Sequence, residues 1–105
     1  MQIVVHASGL SLTTAMKMAA IEKFMRVERL LTRFDHSSLI MVVELSRTTH
    51  HHHKGKIFRS EMHLPLARKQ EVFAAVEADD IYDAMDHCIS AAKKQLLKFK
   101  EKSVS

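Results

Sequence analysis

Apolar side chains recur at three- and four-residue intervals in two long segments of this sequence, residues 12–34 and residues 81–99. That spacing is typical of one face of an α-helix. A short segment rich in β-branched residues opens the chain, and three more apolar segments lie between the two helical ones. Helices combined with a run of consecutive strands predict an α+β domain, with one core between a sheet and a layer of helices.

The first helix is expected from about Leu12 to Phe34. Ser11 or Thr13 suits its N-cap, because a hydroxyl oxygen there can accept a hydrogen bond from a free N–H group of the first turn. The apolar face of this helix comprises Met16, Ala20, Phe24, Val27, Leu31 and Phe34.

The second helix is expected after Asp79, which suits the N-cap position. Asp80 and Asp83 would then lie at the positive end of the helix dipole. The apolar face of this helix comprises Ile81, Met85, Cys88, Ala92, Leu96 and Phe99.

Short segments with β-branched or alternating apolar residues predict four strands. The strands are expected at Gln2–Ser8, Ser38–Ser46, Lys56–Leu64 and Gln70–Ala78. Alternation places one set of side chains toward the core: Phe58, Ser60, Met62, Leu64, Val72, Ala74 and Val76. Glu71, Phe73 and Glu77 would face away from it. The order β-α-β-β-β-α therefore predicts a two-layer sandwich, with a four-stranded sheet and two helices on one face.

The length and the cysteine content suit a small cytoplasmic protein. A chain of 105 residues predicts one domain over residues 1–105, with an ordered core to about residue 100 and a short basic tail at 101–105. One cysteine allows no intramolecular disulfide, which fits a reducing compartment. The N-terminus has no signal-peptide pattern, and no apolar run approaches the roughly 20 residues that a membrane helix needs.

The residues that usually carry catalysis have structural explanations here. With only two glycines, the chain has no Gly-rich phosphate loop. Cys88 lies on the apolar face of the second helix, which favours a core thiol over a nucleophile. Helix capping explains Asp79 and Asp80 better than acid–base chemistry does. We therefore expect no enzyme activity, cofactor or small-molecule substrate.

Four consecutive histidines, His50–His53, lie in the polar tract Ser46–Gly55 between the second and third strands. We expect them at the tip of a hairpin. His50 and His52 share a face in an extended chain and could chelate a metal ion. A structural zinc site needs four fixed ligands, so this tract predicts only weak and unselective binding. A metal-binding module remains one alternative function.

Basic side chains concentrate on both helices. The net charge is +4 and the pI is about 9.4, which favours an anionic partner such as nucleic acid. Arg26, Arg29 and Arg33 form a row on the first helix, with Lys23 close to it. The second helix ends in Lys93, Lys94, Lys98, Lys100 and Lys102. Both rows could line one phosphate-binding surface. Few aromatic residues are available to stack on single-stranded bases, so folded RNA is the expected target. A generic domain that binds double-stranded RNA remains another alternative.

Several stretches resemble the bacterial ribosome hibernation-promoting factor family, also described as the sigma-54 modulation protein family, which includes the ribosome-associated inhibitor. "MQIVVHASGLSLTTAMKMAAIEKFMRVER" is similar to the opening strand and helix of that family, and "MHLP" to the end of its third strand. The most specific segment is "VEADDIYDAMDHCISAAKKQLLKFKEK". Because the chain stops soon after the last helix, it resembles the short form of the factor.

The resemblance implies a fold similar to double-stranded-RNA-binding domains. It also implies binding to the small ribosomal subunit in the decoding channel, where the protein would block the tRNA and mRNA sites. Translation would then stop, and inactive or dimeric ribosomes would be stabilised in stationary phase, together with a ribosome modulation partner. The candidate rRNA-binding residues are Lys23, Arg26, Arg29, Arg33, Lys93, Lys94, Lys98 and Lys100. Ala91 departs from the family pattern, which often has a basic residue there.

Overall fold

The computed structural model describes residues 1–31, 38–48, 57–67 and 69–104, and for residues 100–104 it describes only the course of the helix. The elements are β1 (Gln2–Ser8), α1 (Thr14–Glu28), β2 (Ile40–Arg47), β3 (Phe58–Pro65), β4 (Glu71–Ala78) and α2 (Ile81–Val104). The predicted order β-α-β-β-β-α is confirmed.

The strands form one sheet in the order β1-β2-β3-β4. β1 runs parallel to β2, whereas β2, β3 and β4 are joined antiparallel. Parallel neighbours need a crossover connection, and α1 lies in that connection. The sheet is therefore mixed. The histidine tract predicted at a hairpin tip lies in the connection between β2 and β3, outside the described residues.

The core fills the space between the sheet and the two helices. Its sheet side is made of Val5, Met41, Val43, Leu45, Met62, Leu64, Val72 and Ala74. Its helix side is made of Ala20, Phe24, Val27, Ile81, Met85, Cys88, Ile89, Ala92 and Leu96. Most residues of the two predicted apolar faces are buried, while Met16 and Phe99 are partly buried and Phe34 lies outside the described residues. Each large side chain removed from water contributes about 1.5–3 kcal/mol, so this layer dominates the stability of the fold.

The first helix is shorter than its apolar spacing predicts. α1 ends at Glu28, and the next turn tightens: the N–H of Leu30 donates to Val27 O and that of Leu31 to Glu28 O. Leu31 is nonetheless fully buried, so the apolar pattern continues after the helix has ended. At the other end Thr13 is the N-cap, since its Oγ1 accepts from the N–H of Met16 at 3.1 Å.

The N-cap of α2 is Asp80, one residue later than predicted. Its Oδ1 accepts hydrogen bonds from the N–H groups of Tyr82 at 2.8 Å and Asp83 at 3.2 Å. The prediction of Asp79 as the cap was therefore wrong, whereas the capping role expected of Asp80 is confirmed. A carboxylate at this place also suits the positive end of the helix dipole.

Gln95 on α2 covers part of the free edge of the sheet. Its Oε1 accepts from the N–H of Phe73 at 3.0 Å, and its Nε2 donates to the carbonyl oxygen of the same residue. β4 is an edge strand, so these two backbone groups have no strand to pair with. A side-chain amide that satisfies both of them protects the edge from pairing with another chain.

The Cys88 thiol is buried between α2 and the sheet, as predicted. It is fully buried, and its Sγ donates to the carbonyl oxygen of Ala74 at 3.5 Å. Ser60 lies on the same buried face, and its hydroxyl has no hydrogen-bond partner among the described residues. Burial raises the pKa of the Cys88 thiol from 9.0 to about 11. A thiol held in its neutral form reacts poorly with electrophiles.

Cys88 should make stability fall between about pH 9 and pH 11. The unfolded chain releases this proton near 9.0, whereas the folded chain retains it until about 11. The stabilisation is complete below the lower value and is lost as the pH rises toward the higher one. Urea unfolding across this range should give a steeper decline for the parent protein than for Cys88→Ala. Parallel curves would show that the thiol does not titrate in this way.

Candidate nucleic-acid interface

The two helices run side by side in the same direction on one face of the sheet. β1 and β4 have the same direction in the ladder, and each helix returns from its strand across that face. An ion pair joins them: Lys23 Nζ lies 2.7 Å from Asp86 Oδ1. This contact places the middle of α1 beside the first turns of α2.

Lys23 is therefore not a free cation on the helix surface. Its side chain is 21% exposed, and its charge is balanced by the Asp86 carboxylate. Asp86 is about half exposed, so solvent weakens the attraction and the pair contributes at most about 1 kcal/mol to stability. A phosphate group could reach Lys23 only in competition with that carboxylate. The prediction that Lys23 contacts rRNA stays a prediction, with this geometry against it.

Arg26 and Arg29 are free to meet a ligand. Both are exposed, and neither forms an ion pair with a described residue. Arg29 is the C-cap residue of α1, where a positive charge suits the negative end of the helix dipole. Arg33, predicted in the same row, lies outside the described residues. The end of α1 thus presents two guanidinium groups that can each bind a phosphate with two hydrogen bonds.

The lysines of α2 lie on two sides of the helix instead of in one row. Lys93 follows Asp86 by two turns on the side that faces α1, and it is half-buried. Lys94 and Lys98 are one turn apart on the other side, and both are exposed. Lys100 belongs to α2, but its side chain is outside the described part of the structure. Leu97, which is 50% exposed, lies between the two sets.

Ala91 packs partly against the core on the same side as Lys94. A longer side chain at this position would have to turn outward to reach solvent, as lysine can do with its flexible stem. Alanine at this position therefore gives the surface one positive charge fewer than a basic residue would.

The free cations among the predicted contact residues share one end of the helical layer, because α1 and α2 run in parallel. Four of them are exposed, namely Arg26, Arg29, Lys94 and Lys98, and Lys93 lies half-buried between the helices. None of the five pairs with a carboxylate in the described ranges. Such a cluster suits several phosphates of a folded nucleic acid, which bind by charge and carry no sequence information.

Other kinds of site have little support in the described ranges. Three or more His, Cys, Asp or Glu side chains never come close enough there to hold a metal ion. His50 and His52 lie outside those ranges, so the predicted weak chelation is untested. Neither helix has a stretch, within residues 14–28 or 81–104, that is long and apolar enough to cross a membrane.

Two features of this region could not be predicted from the sequence. Asp86 lies in the segment that resembles the family, and its role as the partner of Lys23 depends on helix packing across 63 positions of the chain. Gln95 gives no local signal either, because its two hydrogen bonds go to a strand. In both cases the partner is set by tertiary structure, which spacing along one helix cannot predict.

The sequence profile of the family described as Sigma 54 modulation protein / S30EA ribosomal protein matches residues 3–104. The chain belongs to this family. The resemblance seen in the sequence is thereby confirmed, and the family is ribosome-associated. No curated protein sequence matches the chain significantly.

Two solved structures have a similar fold. The N-terminal domain of Protein Y from Thermus thermophilus has 25% identity and a TM-score of 0.70, and the match covers 94% of this chain and 99% of that one. A ribosomal subunit interface protein from Coxiella burnetii has 17% identity and a TM-score of 0.73, covering 96% and 99%. The second likeness concerns the fold alone.

Releasing Lys23 from its partner should strengthen binding to ribosomes. In Asp86→Asn the lysine keeps its charge but loses its carboxylate, so it becomes available to phosphate. Stability should fall by no more than about 1 kcal/mol in urea unfolding. Sedimentation with ribosomes at several salt concentrations should show tighter binding and a salt slope steeper by up to about 0.9.

Glu22→Gln is the matched control, because Glu22 is exposed on α1 and makes no ion pair with a described residue. It changes the net charge by the same amount without releasing Lys23. Equal gains in the two variants would mean that overall charge, and not the freed lysine, strengthens the binding.

Proposed function

We propose that this protein is a ribosome hibernation factor that binds the small ribosomal subunit in the decoding channel. It acts there without catalysis, as a steric block to tRNA and mRNA. The observation that carries this proposal is the cluster of free cations at one end of the two helices, in a member of a ribosome-associated family. The surface suits folded rRNA, whose phosphates are fixed in space.

Charge neutralisation supplies the affinity. Each phosphate contact releases bound counterions. For a duplex, the logarithm of the binding constant therefore falls by about 0.9 per contact for each tenfold rise in salt concentration. Arg26 and Arg29 on α1, with Lys94 and Lys98 on α2, can approach different phosphates because they project from two separate helices. A rigid helix pair then selects for rRNA of the right shape. This is the kind of recognition expected of an RNA groove that side chains cannot read by sequence.

The proposed role places the protein in the cytoplasm with idle ribosomes in stationary phase. Its partners would be the small subunit and its rRNA, and a ribosome modulation protein when ribosomes dimerise. The name of the Coxiella burnetii relative, a ribosomal subunit interface protein, is consistent with binding near the joining surface of the subunits.

An order-of-addition experiment tests the occlusion mechanism. When the protein is added to small subunits first, binding of mRNA and initiator tRNA should fall in filter-binding assays. When mRNA and tRNA are bound first, the protein should bind much more weakly. Simultaneous binding of all three would place the protein outside the decoding channel, whatever its affinity for the subunit.

Replacing the lysines of α2 should weaken binding to the small subunit. Lys94→Ala and Lys98→Ala should each flatten the salt dependence by up to about one unit for each lost phosphate contact, and the triple variant that also replaces Lys93 should flatten it further. Co-sedimentation at a series of salt concentrations measures both effects.

Lys17→Ala is the control for these variants. Lys17 is exposed in the first turns of α1, away from the end where the free cations lie. Its loss should leave the slope nearly unchanged. If Lys17→Ala weakens binding as much as Lys94→Ala, the contact surface is not the one proposed.

A further inference from the structure

The face of the sheet turned away from the helices carries its own chemistry. The strand register places Val4, Val42, His63 and Phe73 in one row across the four strands. The adjacent row is His6, Glu44, Glu61 and Ala75. An apolar and aromatic row thus lies directly beside an acidic one.

These rows form a shallow depression of about 410 Å³. Its lining residues are Val42, Glu44, Glu61, His63, Glu71 and Phe73. Phe73 is about half exposed, so its side chain is accessible to a ligand on this face. The depression therefore has an apolar floor with carboxylates on both sides.

The three carboxylates differ in how far their charge is compensated. Glu44 and Glu61 stand directly opposite each other in the antiparallel ladder, and like charges in that position destabilise a sheet. Arg59 lies 2.6 Å from Glu61 and 3.9 Å from Glu77, so its charge is already shared between them. Glu44 forms no ion pair with any described residue. Glu71 contacts His63 at 2.8 Å, a pair that is charged only when the imidazole is protonated.

The backbone of Phe73 is held in place by a side chain of α2. Its backbone N–H and carbonyl oxygen are both bound by the Gln95 amide. Its ring contacts His63 edge-on, with the centroids 6.3 Å apart and the planes at 67°. A backbone held in this way loses little conformational freedom when a ligand binds. Since Gln95 occupies the strand edge at this point, a ligand must lie on the face of the sheet and not extend it.

We propose that this open face binds an extended peptide segment of a partner protein, one that carries arginine beside an apolar side chain. A guanidinium group can stack on the Phe73 ring while it donates to the carboxylate of Glu44 or Glu71. The apolar neighbour would cover Val42. The same carboxylates would repel the phosphates of a nucleic acid.

This binding face lies on the opposite side of the sheet from the helices, so it goes beyond the proposed rRNA contact. Both ligands could be bound at once. A basic peptide would meet repulsion from the cations near the helix ends and attraction here, which gives the two surfaces different partners in spite of the net charge of +4.

The probe is a fluorescent six-residue peptide of alternating arginine and leucine, titrated into the full-length protein without ribosomes. Measurement at pH 8 keeps ordinary histidine side chains neutral. We expect saturable binding by anisotropy and shifts of the backbone amide signals of Val42, Glu44 and Phe73 in NMR spectra. A peptide with glutamate in place of arginine should not bind.

Two pairs of variants locate the contact. Phe73→Ala should weaken binding about fivefold, the equivalent of a cation–π contact of about 1 kcal/mol. Its control is Met18→Ala, which removes an exposed apolar side chain far from this face, on α1. Glu44→Gln should also weaken binding severalfold, while Glu22→Gln should have no effect. If Phe73→Ala fails to fold, as judged by circular dichroism, the comparison of Glu44→Gln with Glu22→Gln decides.

Several outcomes would overturn the proposal: no saturation, shifts confined to α1 and α2, or equal losses in the variants and their controls. Shifts of Val42 and Phe73 caused by a duplex RNA would also overturn it, since the acidic face would then be a nucleic-acid surface. The experiment contains no ribosomes, so failure of the hibernation role would leave its result unchanged.

Discussion

The packing of α2 across β3 and β4 fixes most of what the surface of this protein presents. Ile81, Met85, Cys88, Ala92 and Leu96 must all face the sheet to be buried, which sets the rotation of the helix about its axis. That rotation also points Asp86 toward α1 and Gln95 toward the edge of β4. The lysines near its end are consequently divided between two sides of the helix. Burial of one face of α2 thus determines the Lys23–Asp86 ion pair, the position of Gln95 at the sheet edge and the distribution of the lysines.

The distribution of charge over the surface affects the approach of a partner more than the net charge does. A net charge of +4 describes a protein with four exposed cations, Arg26, Arg29, Lys94 and Lys98, toward one end of the helices, and with three glutamates, Glu44, Glu61 and Glu71, on the far side of the sheet. The Lys23–Asp86 pair is electrically neutral and lies between the helices. A partner approaching from either side therefore meets a local field of definite sign, and this field guides encounter more than the total charge does.

The sequence predicted the features that depend on periodicity. Burial of Phe24, Met62 and Leu96 follows from spacing alone, because the side chains on one face of a helix or strand recur at fixed intervals. The end of α1 could not be predicted in this way: Leu31 stays buried after the helix has stopped, so the apolar pattern continues where the helical hydrogen bonds do not.

The features that could not be predicted from the sequence depend on which residues are neighbours in the folded chain. Asp79 and Asp80 are equally good caps as residues, and only the start of the helix at Ile81 chooses between them. Lys23 looked like part of a basic row, since its partner lies on another helix. The candidate rRNA surface was therefore predicted in composition but not in arrangement.

Segregated charge also has a consequence for binding strength. If the RNA ligand and the peptide ligand belong to one large assembly, contact at the helix ends brings the open face of the sheet to a high effective concentration of its own ligand. A peptide contact that is weak alone would then slow dissociation markedly, because the second contact becomes intramolecular. The stability lost where Glu44 faces Glu61 is small, at most about 1 kcal/mol, against that gain. The like-charge pair is thus tolerable in the free protein, and a guanidinium group that binds Glu44 would relieve its repulsion.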